Sequence, residues 1–157
     1  MTVRRASADD WQRLRDLRLR ALTDSPDAFL TTLEEASVRT DEEWRAWSAN
    51  SVIFVDDAFT GMAGGFVQED GVPMLFGMWV APERRGSGLA EALARAVVEW
   101  ARALGAPRLV LWVAIGNAAA ERFYERIGFV PTGVEADLRN GRDRELAFDL
   151  QKTQKAP

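Results

Sequence analysis

Residues 72–114 restrict the fold most. Val72 to Val80 is a strand-like run, and Arg108 to Ala114 is a short continuous apolar one. Between them, Gly88 to Leu104 carries apolar side chains at Leu89, Leu93, Val97, Trp100, Ala101 and Leu104, with Glu91 and Arg95 one turn apart on the other face. Apolar positions spaced by three and four residues define an amphipathic helix, whereas short apolar runs bounded by turn residues define strands. Asn117 then has the chemistry of a cap for a further helix reaching about Ile127. A strand-helix-strand-helix unit needs a sheet with helices on both faces to bury it.

The flanking segments supply antiparallel strands. Ser51 to Val55 and Met62 to Gln68 lead into the Val72 strand through Asp56-Asp57 and Glu69-Asp70-Gly71, which predicts an antiparallel meander. Phe129 to Val134 and Arg144 to Leu150 read as closing strands. At the start, Thr2 to Arg5 reads as a strand, and Ser7 stands three residues before Asp10 in the arrangement of a capping box. A helix then follows with Trp11, Leu14, Leu17, Ala21 and Leu22 on one stripe, ending near Ser25-Pro26. Ala28 to Val38 and Glu42 to Ser48 are expected as two shorter helical pieces, the second capped by Thr40 or Asp41. The expected class is α/β (α+β by stricter bookkeeping): a single domain over residues 1–157 with a mixed, mostly antiparallel sheet flanked by helices. Residues 151–157 are expected to form a polar, frayed tail.

Composition narrows the chemistry. The chain contains neither cysteine nor histidine. Disulfides, Cys- or His-liganded metals, thiolate nucleophiles, Ser-His-Asp triads and imidazole bases are therefore outside its repertoire, and no metal site is expected. Twenty Lys plus Arg against 24 Asp plus Glu give a net charge of -4, the wrong sign for general attraction to a phosphate polymer. No nucleic-acid partner is expected. The apolar stretches are short and interrupted, so neither a signal peptide nor a spanning helix is expected, and the reading is a cytoplasmic protein without a membrane partner.

The segment joining the Val72 strand to the long helix, Val80-Ala81-Pro82-Glu83-Arg84-Arg85-Gly86-Ser87-Gly88-Leu89-Ala90, carries the first chemical signal. Gly86 and Gly88 let the backbone turn its N–H groups toward a ligand, and the helix N-terminus adds unpaired donors and partial positive charge. Arg84 and Arg85 can add charge-assisted hydrogen bonds, so the loop suits a pyrophosphate. Its spacing matches neither the dinucleotide G-x-G-x-x-G nor the P-loop.

Arg85-x-x-Gly88-x-Ala90, after a strand ending Val80-Ala81-Pro82, resembles the acyl-CoA pyrophosphate loop of the GNAT superfamily of acetyl-CoA-dependent N-acetyltransferases. Asn117-x-x-Ala120-x-x-x-Tyr124-Glu125-x-x-Gly128-Phe129 is similar to that family's second cofactor motif, and Arg18-Leu19-x-Ala21-Leu22 with Pro26-x-Ala28-Phe29 to its opening helix. The likeness spans essentially the whole chain in the matching element order.

The resemblance implies acetyl-CoA as cosubstrate, held by Arg84, Arg85, Gly86, Ser87, Gly88, Leu89 and Ala90 at the pyrophosphate. Backbone groups of Met78, Trp79 and Val80 would pair with the pantetheine arm as an added strand, between this strand and Val110 to Ala114. For Trp79 and Trp112, core packing is the competing reading. Asn117 and Ala120 would contact the pantetheine region. Tyr124, the only tyrosine, would protonate the departing thiolate, since a phenol is protonated at neutral pH. A backbone N–H near Trp79 or Val80 would stabilise the oxyanion. The amine would attack the thioester directly in a ternary complex. Its proton could pass to a carboxylate or to water, or the amine could enter neutral.

Glu34 and Glu35 lie on the helix that the family places near the acceptor. They belong to a stretch, Asp24 to Glu43, with seven acidic residues against Arg39 alone, which suits a cationic amine or is simply a solvated face. A small-molecule amine is the favoured acceptor. A protein N-terminus or lysine, a non-catalytic acyl-CoA sensor and a homodimer remain open.

Overall fold

The computed structural model describes residues 2–139 and 141–151. Seven strands form one sheet in the order β1-β2-β3-β4-β5-β7-β6: β1 (Val3–Arg5), β2 (Val52–Asp56), β3 (Gly61–Val67), β4 (Pro73–Val80), β5 (Arg108–Ala114), β6 (Val130–Leu138) and β7 (Gly141–Asp149). Every neighbouring pair is antiparallel except β4 with β5. The expected mixed, mostly antiparallel sheet is present. The single parallel junction is the one spanned by the long helix α4 (Leu89–Ala103).

The helices bury two separate apolar layers. On one face α4 lays Leu89, Leu93, Val97 and Ala101 against Ala63, Leu75, Leu109 and Leu111, and α5 (Ala118–Ile127) adds Tyr124 and Ile127 to the same layer. On the other, α1 (Trp11–Asp24), α2 (Leu33–Ser37) and α3 (Asp41–Asn50) contribute Leu14, Leu17, Leu22, Ala36 and Trp44 over Ile53, Val55 and Met62. Alternation along β2 and β3 feeds both layers, because successive strand residues face opposite sides. Trp79 is buried in the second layer, whereas Trp112 is only partly covered.

Local chemistry sets several boundaries. Asp10 accepts from the Ser7 amide at 2.7 Å and takes a two-pronged bond from Arg4, so the entry to α1 is pinned as the Ser7/Asp10 spacing predicts. Thr40 and Glu43 form a capping box at α3. The helix expected over Ala28 to Val38 is shorter. Pro26 opens a single 3-10 turn ending at Ala28, Phe29 is extended, and Thr32 re-caps a five-residue α2. Leu104 is half-exposed, since α4 ends at Ala103 and the residue lies beyond the buried stripe. The β6–β7 hairpin extends further than its apolar residues suggest. Its distal half is held by a charged ladder in which Arg142 meets Asp137 at 3.0 Å and Glu135 at 3.5 Å. Of the expected tail, residues 152–157 lie outside the described residues.

Candidate active site

The parallel strands β4 and β5 share one registered pair, Met74 with Val110. Past it, β4 is rebuilt by a bulge: Met62 pairs with Trp79 and Gly64 with Phe76, so two residues, Gly77 and Met78, oppose Ala63 alone. Gly77 takes φ +64, a conformation that favours glycine. A cleft of about 1600 Å³ lies here, walled by residues 76–80 of β4 and 111–114 of β5 and extending to the α4 entry loop and to α5. The backbone edge of β4 toward β5 is thus without a registered strand partner where Met78, Trp79 and Val80 line the opening.

At one end stands the glycine loop. Gly86 (φ +79) and Gly88 (φ +89) both occupy left-handed conformations, and a Cβ at either would meet nothing within 4 Å. Gly88 is the N-cap of α4, so no side chain of its own satisfies the first-turn amides; only Ser87 Oγ approaches, accepting from the Leu89 amide at 3.4 Å. These uncapped donors form a cradle open to solvent. Arg84, Arg85, Gly86, Gly88 and Ala90 line the cleft, while the Leu89 side chain enters the core and only its backbone can serve a ligand. Arg85 is positioned twice over: Nε donates to the Val80 carbonyl at 3.1 Å and Nη2 to Asp24 Oδ2 at 2.7 Å. Asp24 also accepts from Ser25 and from Trp79 Nε1, and these bonds hold its carboxyl down at about 2.

On the opposite wall α5 presents Ala120 and Tyr124. Asn117 caps α5 by accepting from the Ala120 amide at 3.2 Å, and it also lines the cleft. Tyr124 is packed edge-on between Phe123 and Phe129, with ring centroids 5.1 and 5.6 Å away. Burial pushes its phenol well above the ordinary value, so it stays protonated across the neutral range.

Glu34 and Glu35 are not brought to the cleft lining. Glu35 accepts from the Thr32 amide and hydroxyl and pairs with Arg139 at 2.5 Å, so it serves α2 and the β6–β7 turn. Much of the acidic stretch is spent in this way, with Glu43 in a cap and Asp41 near Arg15. Three further side chains line the cleft: Trp112, for which core packing is the competing reading, Arg18, which the sequence places only in the opening-helix motif, and Asp143, which it does not single out; Arg18 and Asp143 are both buried. A signal existed for Arg18, a charge on the apolar row Leu14–Arg18–Leu22 of α1. Nothing comparable marks Asp143, whose burial depends on the distant pairing of β7 with β5. Among the described residues no group of three or more acidic side chains could hold a metal ion, and no helix is long and apolar enough to cross a membrane.

Comparison with known proteins agrees with this geometry. Residues 11–129 match the acetyltransferase (GNAT) family. The chain is 31% identical over 122 residues to a mycothiol acetyltransferase of Beutenbergia cavernae, covering 76% of this chain and 41% of that protein. It is 36% identical over 78 residues to the streptothricin acetyltransferase of Streptomyces lavendulae, covering 50% and 41% of the two chains. It therefore spans about two fifths of the length of these relatives. Among solved structures, yncA from Salmonella typhimurium, described with its cofactor acetyl-CoA, superposes with a TM-score of 0.76 at 19% identity, covering 100% of this chain and 97% of that one. With the family match spanning most of its length, the chain belongs to the GNAT acetyltransferase family.

Proposed function

We propose that the protein is an N-acetyltransferase that moves an acetyl group from acetyl-CoA to a primary amine on a small molecule, by direct attack in a ternary complex. The observation that carries this reading is the cleft between β4 and β5, which runs from a left-handed Gly86/Gly88 cradle at the start of α4 to the Tyr124 wall of α5. The cradle fits a pyrophosphate, because its amides are uncapped, Arg84 and Arg85 flank it, and no Cβ intrudes. The unpaired edge of β4 fits an amide-bearing arm added as a strand.

Acetyl-CoA supplies an activated thioester, and this chain's residues do the rest. Met78, Trp79 and Val80 offer backbone groups to the arm, although the Val80 carbonyl already accepts from Arg85. A backbone N–H of this strand faces the charge that develops on the carbonyl oxygen. Tyr124 donates its hydroxyl hydrogen bond to the departing thiolate. With no histidine in the chain and Asp24 held as a weak base, the amine enters neutral or passes its proton to water. The names of the relatives, mycothiol and streptothricin acetyltransferase, support a small-molecule acceptor over a protein N-terminus or lysine.

Calorimetric titration of acetyl-CoA into the wild type and Gly88→Val tests the reading. Binding by the first and its loss in the second are expected; equal affinity overturns the placement of the cofactor loop.

A further inference from the structure

Arg18 is 6% exposed, yet among the described residues no side-chain hydrogen bond or ion pair compensates its buried charge. Its Nε has no hydrogen-bond partner, and no carboxylate among the described residues is paired with its guanidinium. Burial, helped by the neighbouring cation Arg39, pulls Arg18 down to about 10, still protonated at neutral pH. The guanidinium lies over aromatic faces, 4.7 Å from the Phe29 ring centroid and 5.8 Å from that of Trp47. Such contacts attract a cation but do not replace an anion.

The position is as telling as the burial. Arg18 lines the cleft, and its Nη1 sits 3.0 Å from where a Cβ on Gly77 would be, against the β4 bulge and one residue from Met78. The guanidinium therefore meets the cleft beside the strand assigned above to the thioester arm and far along the chain from the Arg84/Arg85 loop.

We propose that Arg18 is the anion-binding group of the acceptor subsite, and that the amine substrate carries a carboxylate within a few atoms of its amino group, as an amino acid does. This rests on the acetyltransferase reading. One guanidinium fork matches one carboxylate in charge and shape. The lining also carries carboxylates, among them Asp24, which is already bound to Arg85 and Trp79, and their field suits the ammonium pole of the same molecule. The cationic amine suggested by the acidic stretch is thereby narrowed to a zwitterion.

The test measures CoA release with the common amino acids, their carboxamides and the corresponding decarboxylated amines, in the wild type and Arg18→Met. Acetyl-CoA affinity is determined separately by calorimetry. At least one amino acid should exceed both of its counterparts lacking the carboxylate by about tenfold or more in kcat/KM, because a site built around a polar group rejects analogues lacking it. Arg18→Met should erase that preference while melting at or above the wild-type temperature. A structural role for Arg18 predicts the opposite, a lower melting point with the preference intact, and that result overturns the proposal. If Arg18→Met does not fold, Arg18→Lys keeps the charge without the fork, and the preference should shrink; an unchanged preference is contrary. Equal use of the counterparts lacking the carboxylate, or no acetylation of any amino acid while acetyl-CoA binds, overturns the assignment alone. Absence of acetyl-CoA binding overturns the underlying reading with it.

Discussion

Arg85 and Asp24 join two walls of the cleft: the guanidinium of the loop before α4 meets the carboxylate at the end of α1 at 2.7 Å, across 61 residues of chain. Because Asp24 also accepts from the Trp79 indole, one carboxylate fixes the loop, α1 and β4 relative to one another. Asp24→Asn keeps much of the hydrogen-bonding shape but loses the charge that orders Arg85. Acetyl-CoA affinity should fall about 2- to 10-fold, the cost of ordering one long side chain anew on binding. Calorimetry checks this, and tighter binding in the variant would show that Asp24 competes with the ligand for Arg85.

Tyr124→Phe removes the hydroxyl and leaves the ring packing against Phe123 and Phe129. The chemical step should slow about 10²–10⁴-fold with little change in acetyl-CoA affinity. Single-turnover rates separate this from slow product release. An unchanged chemical rate would leave Tyr124 as a packing residue.

The pH profile follows from the same burial. Because the phenol's pKa is raised in the folded protein, Tyr124 remains a donor as pH increases through 10, the ordinary tyrosine value. The rate should climb as the amine deprotonates and show no falling limb between pH 7 and about 10. A bell-shaped curve descending below pH 9 in a protein that remains folded would contradict the assignment.

Gly88→Val places a β-branched side chain at φ +89, where no atom lies within 4 Å of the new Cβ. The fold should survive a strain of about 1–2 kcal/mol, while the side chain intrudes on the cradle and weakens acetyl-CoA binding by about tenfold or more. Melting curves and titration together separate the two effects.

Asp56 supports the end of β4 that leads into the glycine loop. Its buried carboxylate accepts from the Thr60 amide at 2.7 Å, the Gly61 amide at 3.0 Å and the Thr60 hydroxyl, and Ala81 in turn donates to the Thr60 carbonyl. Asp56→Ala strands those donors and should cost about 2–4 kcal/mol, lowering Tm by roughly 5–15 °C. A shift under 2 °C would mean that water replaces the carboxylate.

What could be read from the sequence depended on how local the cause was. The Leu89-to-Ala101 stripe, the Gly86/Gly88 turn and the Asn117 and Thr40 caps are set within a few residues, and each lies where its pattern places it. The β6–β7 hairpin was under-read because Glu135, Asp137 and Arg142 stabilise it by cross-strand pairing, which leaves no apolar alternation. Glu35 is acidic for the sake of Thr32 and Arg139, and that use depends on a turn 104 residues away. Arg18 stands out in the sequence only as a charge on the apolar row Leu14–Arg18–Leu22, and its place at the cleft depends on the sheet packing against α1.

The central claim is direct acetyl transfer within a ternary complex, and mass spectrometry of a quenched single turnover tests it most directly. Protein, acetyl-CoA and an accepted amine should yield N-acetylated amine and CoA in equal amounts, with CoA release depending on the amine and the chain mass unchanged throughout. An acetylated chain that forms from acetyl-CoA alone and then passes its acetyl group to the amine would contradict the account.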